Sequence, residues 1–229
     1  MTLAIPTSAS NTDSWLISLN SFSDSRDEGK KLMNLSYGLN SLETKNEKEH
    51  TLLVGVHGGN SQGYEWVYPL KTMDKENILS YFFRWDDSRC AEPSAIILAK
   101  QLQELVKETP SIKKIIIIGH SYGGLLASWF AENWTSSLPI DIHAIASPLA
   151  GIKILNDVCD YKPPKLIEKN ISFFQWRTQQ KLDGAFKDLE FNPQVITLKG
   201  SQVYVLPNLY KGNRLGHNWS ISFVADQLK

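Results

Sequence analysis

At Gly119-His120-Ser121-Tyr122-Gly123 a serine stands between two glycines, each two residues away. A serine hydroxyl is a poor nucleophile until a base takes its proton; it can then attack a carbonyl and carry an acyl group. The G-x-S-x-G spacing fits a sharp turn from strand to helix, in which the serine holds a strained backbone and its near neighbours must be small. The helix that follows points its first N–H groups at the same spot, where they favour a developing oxyanion. The five-residue pattern alone is common, but its surroundings make it specific. Four isoleucines, Ile115 to Ile118, precede it, and "YGGLLASWFAENW" follows with Leu126, Phe130 and Trp134 on one helical stripe. A glycine-rich turn whose serine only caps the helix is the plainer alternative.

Elements able to hold such a turn recur along the chain. "TLLVGVHGG" and "ILSYFFRW" predict strands, and "PSAIILAKQLQELVKETP" predicts a helix with Leu98, Leu102, Leu105 and Val106 on one face. Pro93 suits the first turn of that helix, and Pro110 follows its end. "KKIIIIG", "IDIHAIAS" and "NISFFQWR" predict further strands, "PQVITL" and "QVYVL" one or two more, and "NWSISFVADQLK" a closing helix. This alternation predicts an α/β protein: a mostly parallel, doubly wound sheet with helices on both faces. Ligands of such sheets sit outside the carboxyl ends of the strands, so functional residues should follow strands directly. One domain is expected over 1–229, with 1–50 an irregular edge region. There "SWLISLNSF" has strand character, "SDSRDEGKK" is a polar segment and "LETKNEKEH" a solvated loop.

Lys+Arg and Asp+Glu balance at 24 each, so no net field draws the chain to nucleic acid or an anionic membrane, and neither is an expected partner. No window approaches the roughly 18 apolar residues of a membrane span. The first residues, "MTLAIPTSASNTDSW", lack a basic, then apolar, leader pattern, which makes a cytoplasmic location the expectation. Cys90 and Cys159 could pair, but nothing in the sequence indicates a disulfide framework, and two separate reduced thiols is the plainer reading. No metal-ligand spacing, phosphate-cradling loop or dinucleotide fingerprint stands out, so no cofactor or metal is expected.

With "VHGGN", "IIGHSYGG", "IASPLAG" and "GHNWSI", the chain resembles the α/β-hydrolase superfamily and its small lipase- and esterase-like members, from about Thr51 to the C-terminus. The resemblance implies a nucleophilic serine, an acid and a histidine in that chain order. Five histidines compete for the base. His50 sits in a charged loop, His143 inside a strand, His120 beside the serine on a turn where adjacent side chains diverge, and His57 in a glycine loop. His217, in "LGHNWS", resembles the family's terminal histidine. The family's acid follows the strand matched by "ISFFQWR"; Asp183-Gly184 resembles its Asp-Gly turn, with Asp188 and Glu190 as competitors. The implied oxyanion donors are the N–H groups of Tyr122 and Gly59, or Asn60 in place of Gly59 if the loop is shifted by one. No large cap domain is implied, and 151–170 is read as a loop or small lid. Trp66 and Trp85 are candidate pocket walls, and Phe82 and Phe83 plain core. The expected reaction is cleavage of a small acyl ester through an acyl-enzyme. A thioesterase, amidase or acyltransferase of the same fold, or a non-catalytic binding protein, are the alternatives. Acyl length, head group and oligomeric state are not written in the sequence.

Overall fold

The computed structural model describes residues 15–19 and 23–229. In chain order the strands are β1 Gly38–Ser41, β2 Thr51–Val56, β3 Ile78–Arg84, β4 Lys114–His120, β5 Ile140–Ile145, β6 Ile171–Arg177, β7 Gln202–Val205, β8 Leu209–Tyr210 and β9 Asn213–Arg214. The helices are α1 Trp15–Ser18, α2 Ser25–Met33, α3 Tyr64–Met73, α4 Ala91–Glu108, α5 Tyr122–Ser128, α6 Phe130–Asn133, α7 Lys153–Cys159 and α8 Trp219–Leu228.

Strands β1 to β7 form one sheet in the order β1-β3-β2-β4-β5-β6-β7. Only β1 runs antiparallel to its neighbour, and β8 and β9 make a separate hairpin. The isoleucine run of β4 explains why the sheet is covered twice. Ile115 and Ile117 join a core formed with α4 and α5, whereas Ile118 joins the opposite core, built with α2, α3 and α8. β2 divides the same way, with Leu52, Val54 and Val56 on one side and Leu53 on the other. A strand buried on both faces needs apolar residues at every position rather than alternate ones. Leu126, Phe130 and Trp134 all point into the first core, although the predicted single helix is divided at Trp129 into α5 and α6.

The strand order reverses between β2, which steps to β3 on one side, and β4, which lies on its other side. That is the crevice position in a doubly wound sheet. Val56 pairs with Gly119, so β2 and β4 end together, and His57-Gly58-Gly59 leaves the sheet beside Ser121.

Several expectations are corrected. The strand-like "SWLISLNSF" begins with the one-turn helix α1, and Ser14 and Asn20 to Phe22 lie outside the described residues. The polar "SDSRDEGKK" supplies most of α2, which Asp24 caps by accepting from the Arg26 amide and which buries Leu32 just beyond that segment. "PQVITL" is not a strand, while "QVYVL" supplies β7. Trp66 and Trp85 are core, at 0% and 2% exposure, and not pocket wall. Cys90 and Cys159 are not separate thiols but a disulfide, with Cα atoms 5.5 Å apart. Sequence distance hid this pairing: Cys90 caps α4 just beyond β3, and Cys159 ends α7 beyond β5, so both lie over the carboxyl ends of the strands. The segment 151–170 carries α7, which buries no residue of its own. Among the described residues, no helix is long and apolar enough to cross a membrane.

Candidate active site

Ser121 has φ 52° and ψ −121°, a backbone few non-glycine residues adopt. Packing holds it there. A Cβ at Gly119 would lie 2.5 Å from the Gly123 carbonyl oxygen, and one at Gly123 would lie 2.3 Å from that of Val56. Both flanking glycines are therefore required by contact, as the spacing predicted. Ser121 N–H donates to the Ile145 carbonyl at 2.9 Å, which ties the turn to β5. The hydroxyl makes no hydrogen bond to a described residue. Bonds to a base are often long in unliganded sites and tighten around substrate.

Asp183 and His217 meet 34 residues apart in sequence. Asp183 is fully buried, and both of its oxygens approach His217 Nδ1, at 2.9 and 3.0 Å. Nδ1 therefore carries the proton, and Nε2 is left as the acceptor. The carboxylate is further held by the Ala185 amide at 2.9 Å and by the Thr178 hydroxyl. Gln194 grips the Thr178 backbone in turn: its Oε1 accepts from Thr178 N–H at 2.8 Å, and its Nε2 donates to Thr178 C=O at 3.1 Å. Asp188 and Glu190, the competing acids, are exposed, and Asp188 faces only Lys187 at 3.9 Å.

The His217 ring meets Phe186 edge-on at 5.1 Å and His120 at 4.6 Å. His120 is buried, and burial together with the neighbouring His217 holds its imidazole well below the ordinary histidine range. Its Nε2–H donates to the His217 carbonyl at 3.1 Å. Ser220 Oγ donates to the same oxygen at 2.5 Å.

The glycine loop is set by His57. Its Nδ1–H donates to Gly58 C=O at 2.9 Å, while Nε2 accepts from Arg84 Nη1 at 3.0 Å and from Trp85 N–H at 3.3 Å. Burial lowers this imidazole to about 4, so it stays neutral. A Cβ at Gly58 would lie 2.9 Å from Ser121 Cβ, and one at Gly59 would lie 4.0 Å from Tyr122. The Asn60 amide is occupied by the Asp87 carboxylate, which leaves Gly59 as the loop's candidate donor. Tyr122 stands first in α5, where a backbone N–H has no partner within its helix.

Two hollows adjoin these residues. An open cleft is lined by His217, Gly216, Asn218, Trp219, Arg214 and Tyr64, with Gly184 and Ala185. A cavity of about 270 Å³ is bounded by Tyr122, Leu125, Trp129, Leu155 and both cysteines, but not by Ser121 or His217. The cleft reaches the candidate base, and neither hollow is lined by Ser121.

Sequence reasoning missed Thr178, Gln194 and the part played by His120. Thr178 directly follows β6, so the rule that functional residues follow strands could have found it. Gln194 had no local signal.

Two solved structures reproduce this architecture. A serine hydrolase without a lid from Xanthomonas campestris matches at 11% identity, covering 83% of this chain and 84% of its own, with a TM-score of 0.52. A lipase-esterase related protein from Clostridium acetobutylicum matches at 12% identity, covering 83% and 98%, with a TM-score of 0.51. The chain has the α/β-hydrolase fold. No protein-family model matches it. Among curated proteins, a proline iminopeptidase from Saccharolobus solfataricus is 29% identical over 134 residues, which span 54% of this chain and 42% of the relative. Ser121, Asp183 and His217 thus stand on an α/β-hydrolase fold in the chain order that the resemblance implied.

Proposed function

We propose that the chain is a serine hydrolase that cleaves carboxylic esters through an acyl-enzyme. The observation that carries this reading is the pairing of fully buried Asp183 with part-buried His217, 2.9 Å apart, in a molecule that also holds Ser121 at φ 52° on the turn after β4. Ser121 Oγ attacks the carbonyl carbon as its proton passes to His217 Nε2. Asp183 keeps the ring in the required tautomer and balances the imidazolium charge. The N–H groups of Tyr122 and Gly59 hold the oxyanion. Collapse expels the alcohol, which takes the proton from His217, and water then repeats the sequence to release the acid.

The iminopeptidase likeness favours one second reading, amide cleavage with the same residues. A panel pairing short p-nitrophenyl esters with N-terminal prolyl amides separates the two. The ester reading expects turnover of the esters and little of the amides. The reverse would make the chain a peptidase, and no turnover of either would remove the proposal. The Cys90–Cys159 disulfide bears on location, because such bonds persist in oxidising compartments. It favours that setting over the cytoplasmic expectation.

A further inference from the structure

Arg214 is the one charged side chain among the residues that line the cleft at His217. Among the described residues it has no ion pair or hydrogen-bond partner for its guanidinium. Its backbone is nonetheless firmly placed. Arg214 ends β9 of the β8–β9 hairpin, where it pairs with Leu209. Tyr210 Oη donates to Asp226 Oδ2 at 2.6 Å, and Lys211 at the hairpin's turn reaches Asp226 at 3.2 Å and the Tyr68 hydroxyl at 2.8 Å. Tyr68 itself donates to Asp226 Oδ1 at 2.7 Å, so α3 and α8 both grip the hairpin. The two cations of the hairpin therefore differ. Lys211 is neutralised by Asp226, whereas Arg214 faces the cleft with its charge unanswered.

The cleft's other large walls are Trp219 and Tyr64, both about half exposed. Tyr64 is fixed by Asn218 Nδ2, which donates to its hydroxyl at 2.9 Å. Flat aromatic walls beside a forked cation suit a planar group that carries an oxyanion, which a guanidinium can bind in bidentate fashion. The acyl-enzyme sequence says which part of the substrate this is. His217 must hand its proton to the leaving oxygen, so the leaving portion lies against His217, whose wall is this cleft.

We infer that Arg214 selects esters whose alcohol portion carries a carboxylate or phosphate on a planar group. The inference rests on the ester reading above and deepens it.

The test compares kcat/KM for three acetate esters: para-acetoxybenzoate, para-acetoxyphenyl phosphate and the neutral para-acetoxybenzamide. The wild-type chain should prefer one or both anionic esters over the amide by about tenfold or more, with the preference shrinking as salt is added. Comparison of the carboxylate with the phosphate shows which oxyanion the site is built for. Arg214→Gln should bring the ratio of anionic to neutral kcat/KM down to about one, and Arg214→Lys should keep part of the preference. Equal turnover of charged and neutral esters, or an Arg214→Gln variant that slows all three alike, would overturn the inference while the ester reading stands. Failure of all three esters, with no other ester cleaved, would remove the ester reading and this inference with it.

Discussion

Asp183 is fully buried, and the Ala185 amide, the Thr178 hydroxyl and the His217 ring all converge on its carboxylate. A buried carboxylate so enclosed can orient an imidazole without being displaced by solvent. Asp183→Asn should therefore leave the fold intact and lower ester turnover by about 10³ to 10⁴, because the ring loses its tautomer control. Asp188→Asn should change little, since that side chain is solvated. Turnover of both variants measured with one ester checks this, and a reversed result would move the acid to Asp188. A second residue-scale outcome concerns His143, which stacks on Phe174 at 4.4 Å and accepts from Trp176 Nε1 at 3.0 Å. Burial lowers its imidazole to about 4, from an ordinary 6.5. Between those values the unfolded chain binds the extra proton, so stability is full above pH 6.5 and is lost as pH falls toward 4. Relative to His143→Gln, the wild type should lose about 3 kcal/mol of unfolding free energy over that window. Denaturant unfolding of the pair at several pH values would show it, and a pH-independent difference would mean that His143 is not held neutral.

The elements differ in how plainly the sequence announces them. β2, β4 and α4 were legible because their apolar periods are long and unbroken, and the turn at Ser121 because contact forces glycine at 119 and 123. Helix α2 was not, since "SRDEGKKLM" buries only Glu28, Gly29 and Leu32 and reads as solvated. Trp66 and Trp85 misled for a related reason: an aromatic near a predicted site has the same composition whether it lines a pocket or fills a core. Helix α7 was hidden because it contributes nothing to the core, and its last residue is instead bonded covalently to Cys90. That bond spans 69 residues, and closing a loop of this size restricts the unfolded chain by about 4 kcal/mol in the chain-entropy account. Cys159→Ser should lower unfolding free energy by up to about that amount. It should also speed hydrogen exchange in α7 more than in β4, and equal protection of α7 in both forms would show that other contacts hold it.

At the scale of the whole molecule, the sheet order does what no local signal can. It sets the ends of β2 and β4 side by side, and beyond β6 it folds the chain so that residues 183 and 217 meet. The turn motif at Ser121 and the family resemblance suggested the nucleophile, acid and base, but the contacts of Thr178, Gln194 and His120 exist only once the strands are laid out. In the proposed mechanism Ser121 is the residue that this arrangement activates. The most direct test of that role is labelling of the folded chain with a fluorophosphonate, followed by peptide mapping of the modified residue. A single label on Ser121 is expected, absent in Ser121→Ala and strongly slowed in His217→Ala. A label on another residue, or labelling that persists in Ser121→Ala, would contradict it.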